Sequence, residues 1–302
     1  MKITGITRYI LRLFIAVVLV CCFCSSGMAL TNEEVFSQFY FNFITPGARA
    51  TAMGGAFIGL ADDASAAYTN PAGLTILTKP EISIEYKYGE QEKYFYTTLG
   101  DTIDFDYNVQ DVSFLSYVYP SNKATFTIYR HKLINIESDY THQFGPAIWE
   151  KVKDDLNVTT YGLALGLKFT SSFSAGLSVG FSQLDWCYLR QEFTNPSLTQ
   201  PAFSTHTVDS EDVADQYSVS LMWNPFGELN IGMVYRYGPE LETLYKWEYD
   251  PDFDGIYDET YNTPNTLNIP DVYGVGISYR FLTNLTVAAD INYVKYSDIL
   301  DN

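Results

Sequence analysis

The sequence predicts an all-β protein, a transmembrane antiparallel outer-membrane β-barrel, and three observations support that prediction. From residue 81 onward, apolar residues alternate with small or polar residues at a period of two, which is typical of strands with one apolar face. The second face consists mainly of Gly, Ser, Ala, Thr and Asn, which suits the wet interior of a barrel better than a water-exposed surface. Short and long connections also alternate, as they do in barrels with periplasmic turns and extracellular loops.

Residues 1–29 are predicted to be a cleaved signal peptide. The apolar run at 13–23 follows a basic start and is shorter than the ~20 residues that a membrane-spanning helix needs. Gly27 and Ala29 supply the small residues of a cleavage site. Three of the four cysteines lie in this segment, so the exported chain keeps Cys187 and no internal disulfide is predicted.

The chain is acidic, with 18 Lys and Arg against 36 Asp and Glu and a formal net charge of −18. This sign argues against nucleic acid as a partner, because phosphates require Lys and Arg. The acidic residues concentrate between the strand-like runs, at 101–111, 150–155, 210–215 and 240–259. Such loops suit either a surface that faces divalent cations and lipopolysaccharide or a merely solvated surface.

Glycine and alanine dominate residues 47–78, directly before the first predicted strand. The carboxylates of Asp62 and Asp63 can cap a short helix over 64–68, and Pro71 ends it because the residue before a proline is disfavoured in the helical region. The stretch has too little apolar bulk for a core of its own. We therefore predict a compact insert that packs inside another structure.

The same stretch resembles the N-terminal hatch of the outer-membrane long-chain fatty acid transporter family (OMPP1/FadL/TodX type). Barrels of the type IX secretion system (PorV/PorQ type) have a similar opening. The resemblance implies that residues 30–80 form an N-terminal extension and a hatch, or plug, in the lumen of the barrel. The matching positions, which the resemblance makes hatch or gate residues, are Gly54, Gly55, Asp62, Asp63, Asn70, Pro71 and Ala72.

Nine strands are predicted, and the clearest alternation is at 159–169 and 173–181. The clear runs have about the length of tilted transmembrane strands, and aromatic residues at their ends fit interfacial girdles. Because bacterial single-chain barrels have even strand numbers, we expect residues 81–302 to be the N-terminal portion of a longer barrel. The predicted strands lie near 81–88, 111–119, 123–130, 159–169, 173–184, 216–223, 229–237, 271–281 and 285–295.

The pattern that most resembles a metal site is the acidic run at 250–258. Its carboxylates follow the spacing of a calcium-binding loop, with Gly255 at the position of the sharp turn. Tyr261 stands where such loops carry their bidentate Glu, and no helices flank the run. A calcium site in an external loop and a solvated acidic loop both remain open. The candidate ligands are Asp250, Asp252, Asp254 and Asp258.

Three cations, Lys168, Arg236 and Arg280, fall on the small-residue face that is predicted to line the lumen. A cation in that position could pair with the carboxylate of a fatty acid and orient an otherwise apolar guest. The alternative is that these residues pair with acids of the interior, such as Asp290 or the acidic pair of the hatch.

The sequence shows no enzymatic pattern. Its three histidines, His131, His142 and His206, have no metal-binding spacing and no neighbouring Ser or Cys nucleophile. The resemblance implies a channel of the bacterial outer membrane for the passive uptake of hydrophobic compounds such as long-chain fatty acids, gated by the hatch. No cofactor is required apart from the possible Ca²⁺. The alternative function is a type IX secretion-associated barrel that binds protein partners.

Overall fold

The chain forms one antiparallel sheet and a short, mostly helical segment that packs on it. The computed structural model describes residues 46–96, 102–144, 148–194, 202–251, 256–281 and 285–299. All of these belong to the unit Phe39–Asn302. The other unit of the chain, Met1–Gln38, and with it the predicted signal peptide, lies outside the described residues.

Residues 46–78, called here the N-terminal segment, contain two α-helices, α1 (Ala48–Ala52) and α2 (Ala66–Thr69), and a 3₁₀-helix (Pro71–Ile76). A second 3₁₀-helix, Tyr296–Ile299, follows the last described strand. No helix in the described ranges is long and apolar enough to cross a bilayer.

Helix α2 begins two residues later than the sequence predicts. Asp63 does not cap the helix itself. Instead its Oδ1 accepts hydrogen bonds from Ser65 N (2.9 Å) and Ser65 Oγ (2.6 Å), which orders the turn before the helix. The helix ends before Pro71, as predicted, but Pro71 then starts the 3₁₀-helix, because its missing N–H costs nothing at a first helical position.

The described residues contain eleven strands, two more than predicted. The two additional strands, β8 and β9, form a hairpin inside a region that the sequence indicates as a loop. The predicted loops at 131–158 and 185–214 are largely strand as well, because β3 to β6 continue far beyond their apolar parts. The strands are β1 (Glu81–Tyr96), β2 (Thr102–Pro120), β3 (Ala124–Phe144), β4 (Ile148–Lys168), β5 (Phe173–Thr194), β6 (Ala202–Phe226), β7 (Leu229–Tyr237), β8 (Glu240–Asp250), β9 (Glu259–Asn268), β10 (Val272–Phe281) and β11 (Leu285–Val294).

Neighbours in sequence are mostly neighbours in the sheet. Strands β1 to β7 pair in order, and β10 and β11 follow β7 directly. The β8–β9 hairpin branches from the outer end of β6, where β8 pairs with residues 203–208. In the described residues the sheet is open, since β1 and β11 form its edges and are not paired with each other.

The predicted alternation is confirmed, and large apolar side chains occupy the outer face of the sheet. On β4, Leu163 is 59% exposed, whereas Ala164 of the opposite face is 4% exposed. On β5, Leu177 and Phe181 are exposed, whereas Ser178 is buried. Such apolar side chains on an outer face cannot be explained by contact with water, and they match the apolar band of a membrane barrel.

The small residues of the inner face are needed for close contact with protein. A side chain at Gly176 would collide with the backbone at Pro71 and Ala72, and one at Gly232 would collide with the carbonyl of Ile58. At this level of the sheet the N-terminal segment covers the face that the sequence predicts to line the interior. Only residues without a side chain allow two backbones to approach so closely.

We predict that Gly176→Val destabilises the folded protein by about 1–3 kcal/mol, because the new side chain overpacks the interface between β5 and the N-terminal segment. Urea unfolding in lipid bilayers, followed by tryptophan fluorescence, measures this difference. Gly89→Val is the matched control, because a Cβ at Gly89 on β1 meets no atom within 4 Å. Equal stabilities for the two variants would contradict the close packing.

Candidate functional site

The candidate site is the inner face of the sheet together with the N-terminal segment that lies on it. The predicted triplet Asn70-Pro71-Ala72 is fully buried at this interface. Ala72 N donates to Ser220 Oγ on β6 (3.0 Å), and Ser174 Oγ on β5 donates to Ala72 O (2.9 Å). The triplet therefore joins the segment to two adjacent strands of the wall.

Asn70 also joins two parts of the N-terminal segment to each other. Its Nδ2 donates to Ile58 O at 2.8 Å and to Leu221 O on β6 at 3.4 Å, while its Oδ1 accepts from Ala72 N at 3.2 Å. One buried amide thus fixes the extended part of the segment, the start of the 3₁₀-helix and the wall relative to one another.

A second attachment lies at β10 and β11. Oδ2 of Asp290 accepts hydrogen bonds from Phe57 N and Ile58 N, both at 2.6 Å. Ser278 Oγ donates to Gly59 O at 2.8 Å. A carboxylate that accepts two backbone amides is a strong acceptor, so this attachment holds the segment even though few side chains take part.

The third attachment is Arg236 on β7, a residue that the sequence suggests as a ligand-binding cation. Arg236 is 3% exposed, and its guanidinium lies 4.0 Å from the ring centroid of Tyr68. Its Nη2 donates to Tyr68 O (2.8 Å) and Thr69 O (3.4 Å). Arg236 therefore binds the end of α2 through a cation–π contact and hydrogen bonds.

The other two predicted cations lie elsewhere. Lys168 and Arg280 are exposed near the turn ends of β4 and β10, so the structure does not bring them together with Arg236. The acids proposed as their alternative partners have other contacts. Asp62 and Asp63 pair with Arg49 in the N-terminal segment, and Asp290 binds backbone amides.

Gly54 and Gly55 have a conformational role that the sequence resemblance alone does not specify. They follow α1 with φ angles of 69° and 80°, in the left-handed region that favours glycine. The turn leads into Phe57 and Ile58, which are buried. Close to it, the Arg49–Asp62–Asp63 contacts tie α1 to the turn before α2.

A cluster of aromatic rings surrounds Tyr68, and sequence reasoning did not identify it. The ring of Tyr68 lies 4.2 Å from that of His131 and 6.2 Å from that of Tyr129. Phe114 packs against both Tyr129 (6.3 Å) and His131 (6.1 Å). The sequence of β3 contains a pattern that could have indicated this cluster, because period-two alternation places Tyr129 and His131 on the same face as Thr125 and Thr127.

The wall divides at this cluster. Strands β2 and β3 pair from Pro120–Thr125 to Phe114–His131. Beyond that rung, the described part of β2 pairs with β1 and that of β3 pairs with β4. We call this division the β2–β3 fork. Ion pairs bridge it, since Lys132 Nζ lies 3.0 Å and Arg130 Nη2 3.7 Å from Asp111 Oδ2.

An apolar cavity of about 880 Å³ opens beside the fork. It is lined mainly by side chains of the outer face, on strands β1 to β6. Its volume falls within the range of ligand-sized pockets. Lining residues include Ile82, Leu115, Ile128, Tyr161, Leu163 and Phe181.

The extended ends of β4, β5 and β6, together with the hairpin of β8 and β9, carry a second aromatic group, which we call the outer chamber. The outer face of these strand ends is polar, with Lys153, Asp155 and Asp185, so they lie beyond the apolar band of the sheet. Rings of Trp247 and Tyr261 stack at 5.2 Å. The chamber also contains rings of Trp186, Tyr188, His206, Tyr245 and Tyr249.

Charged groups lie among the rings of the outer chamber. Arg190 Nε donates to Glu150 Oε1 at 2.6 Å, and Trp186 Nε1 donates to Asp154 Oδ1 at 2.9 Å. Burial raises the pKa of Asp154 to about 6, although the Trp186 hydrogen bond opposes that shift. Burial lowers the pKa of His206, whose Nδ1 contacts the hydroxyl of Tyr245.

The calcium prediction is only partly covered by the structure. Asp250 ends β8 and is buried, and Asp258 N donates to Tyr249 O at 2.9 Å. Asp252 and Asp254 lie outside the described residues. Within the ranges that the structure describes, no group of three or more His, Cys, Asp or Glu side chains could hold a metal ion. Calcium binding at 250–258 stays a prediction.

Three solved structures share this fold at low sequence identity. A Pseudomonas aeruginosa FadL homologue matches with a TM-score of 0.61 and 14% identity, over 85% of this chain and 70% of that chain. The P. putida toluene transporter TodX matches with a TM-score of 0.62 and 14% identity, over 86% and 72%. The CymD monoaromatic hydrocarbon channel matches with a TM-score of 0.56 and 14% identity, over 86% and 71%.

No curated protein sequence matches this chain. The family model described as outer membrane protein transport protein (OMPP1/FadL/TodX) matches residues 29–301, which is most of the chain. The antiparallel sheet, its apolar outer face and the three structural matches agree with that assignment. The chain therefore belongs to the OMPP1/FadL/TodX family of outer membrane transport proteins and is a protein of the bacterial outer membrane.

Proposed function

We propose that this protein is a channel for the passive uptake of hydrophobic compounds such as long-chain fatty acids, and that the N-terminal segment is the hatch that gates it. The observation that carries the proposal is the position of this segment. Its backbone lies directly on the inner face of the sheet and hydrogen-bonds to β5, β6, β7, β10 and β11. A guest that enters the interior has to displace it or pass around it.

Family membership and the named relatives support the hydrophobic cargo. TodX is described as a toluene transporter and CymD as a monoaromatic hydrocarbon channel. The matched family consists of transport proteins, which favours a channel over an enzyme. None of these findings supports the alternative of a type IX secretion-associated barrel, and we do not propose it.

Capture would take place in the outer chamber. Its rings offer apolar surface beyond the membrane band, where a hydrophobic molecule first meets the protein. The acidic outer surface of the same strand ends, with Asp155 and Asp185, faces the lipopolysaccharide layer in this arrangement. Divalent cations between these carboxylates and the phosphates of that layer would favour contact between the protein and the lipopolysaccharide.

Release would require a shift of the hatch or of a wall strand. The β2–β3 fork supports the second route, because β2 and β3 share no backbone hydrogen bonds in their described parts beyond Phe114 and His131. The apolar cavity of about 880 Å³ lies on the outer side of the same strands. For a fatty acid, Arg236 becomes a carboxylate partner only after Tyr68 and Thr69 have left it.

We expect a disulfide between the hatch and the wall to abolish transport. In a Cys187→Ser background, Ala72→Cys with Ser220→Cys would join two positions whose N and Oγ atoms are 3.0 Å apart. Uptake of radiolabelled oleate by a transport-deficient host should fall to background under oxidation and recover with a reductant.

The matched control is Ser178→Cys with Ser218→Cys, which joins the opposed residues of β5 and β6 and leaves the hatch free. Its uptake should not depend on the redox state. Full transport by the hatch-linked form, with the disulfide verified by mass spectrometry, would refute gating by hatch movement. Absence of uptake by the unlinked protein would refute the channel itself.

The raised pKa of Asp154 predicts a pH-dependent outer chamber. A carboxyl whose pKa is higher in the folded protein (about 6) than its ordinary value (3.8) favours the fold when protonated. Its contribution to stability is therefore complete below about pH 4 and is lost as the pH rises through 6. Tryptophan fluorescence should report a transition near pH 6, because Trp186 donates to this carboxyl.

Asp154→Asn should abolish that transition, whereas Asp155→Asn, a change at the exposed neighbour on the outer face, should keep the transition and move it slightly to lower pH, because the charge of Asp155 adds to the raised pKa of Asp154. A transition that persists unchanged in Asp154→Asn would show that another group titrates.

A further inference from the structure

Tyr68 lies between the β2–β3 fork and the opposite strand β7. We propose that this side chain couples the position of the hatch to the closure of the fork. The inference rests on the proposed function, because it assigns the step by which a movement of the N-terminal segment reaches the wall. Tyr68 acts as a positioning residue and need not contact the transported molecule.

On the fork side, Tyr68 contacts the last rung that joins β2 to β3. The side chains of Phe114 and His131, which form that rung, are fully buried and point inward. The Tyr68 ring lies 4.2 Å from the His131 ring at an interplanar angle of 34°, and it meets Tyr129 edge-on at 6.2 Å. The hatch thus supports the fork from inside through the aromatic side chain of Tyr68.

On the opposite side, Arg236 holds Tyr68 in place. Its guanidinium covers the ring at 4.0 Å, and its Nη2 binds the carbonyl oxygens of Tyr68 and Thr69. The side chain of Tyr68 is 2% exposed, so it has little freedom to move while the segment is seated. Arg236 belongs to β7 and the fork to β2 and β3, so the contact spans the interior.

Beyond the rung, no backbone pairing joins β2 to β3 in the described residues, and the contacts across the fork involve side chains, including a hydrogen bond from the Arg130 guanidinium to Val112 O. On one side Asp111 pairs with Lys132 and Arg130. On the inner side the ring cluster is completed by Tyr68. Removal of Tyr68 takes away the ring that lies 4.2 Å from His131 and opens space behind the rung, toward which β2 and β3 can separate. The fork should therefore loosen whenever the hatch leaves its seat.

The distance across the fork tests this coupling directly. Gln110 on β2 and Glu137 on β3 are exposed and lie beyond the last rung. Nitroxide labels on Gln110→Cys and Glu137→Cys, in a Cys187→Ser background and in lipid nanodiscs, report the separation of the strands by pulsed electron paramagnetic resonance. Tyr68→Ala should give a longer and broader distance distribution than the parent protein.

Tyr68→Phe is the matched control, because it keeps the ring and removes the hydroxyl. Its distance distribution should resemble that of the parent. Arg236→Met removes the support from β7 while Tyr68 remains, and it should shift the distance in the same direction by a smaller amount. Should Tyr68→Ala fail to fold, judged by heat-modifiable migration on gels, Tyr68→Leu removes the ring and carries the same prediction.

An unchanged distance in a folded Tyr68→Ala or Tyr68→Leu variant would overturn the coupling, and so would an equal shift in Tyr68→Phe. The measurement needs no transported molecule, so its outcome is independent of the uptake assay. A changed distance without uptake would refute the channel and leave the coupling intact. Uptake with an unchanged distance would refute the coupling and leave the channel intact.

Discussion

Contact between two backbones, that of the N-terminal segment and that of the inner face of the sheet, is the constraint on which the rest of the structure depends. At Gly176 and Gly232 the separation leaves no room for a Cβ. The hydrogen bonds at Ala72, Phe57 and Ile58 then form between groups that are already in contact. Because the segment has little apolar side chain of its own, it depends on the wall for burial. The inward-facing residues of the wall in turn have to be small and polar where the segment lies.

This constraint requires different residues on the two faces of each strand. Small residues on one face permit the contact, and bulky apolar residues on the other face meet the membrane. The pattern can persist while individual residues change, since it specifies size and polarity only. That explains how the chain keeps the fold of the structures it matches at 14% identity. It also explains why a polar rung such as Ser178–Ser218 occurs within a strand whose outer side is apolar.

Much of the fold could be predicted from the sequence, because alternation is a local property. The nine predicted strands are all present, and the triplet Asn70-Pro71-Ala72 does lie at the contact with the wall. Hairpin β8–β9 and the long ends of β3 to β6 were missed for a physical reason. Outside the apolar band both faces of a strand can be polar, so backbone pairing is not visible in the pattern of residues.

The candidate site was less predictable, because its contacts join residues that are far apart in sequence. Arg236 was predicted to be a ligand-binding cation of the interior, and the sequence does not show that it contacts Tyr68, 168 residues away. Asp290 was considered as a partner for cations, whereas it binds two backbone amides. His131 was assigned to a loop, because the strand around it loses its clean alternation at the bulge near Lys132 and Ile134.

The most direct test of the account is amide hydrogen exchange of the N-terminal segment in the folded, membrane-embedded protein. The account predicts that the amides of Phe57, Ile58 and Ala72 exchange as slowly as those of the central strands, because each donates to a side-chain acceptor on the wall. Exchange of these three amides at the rate of an open chain, while the strands remain protected, would contradict it.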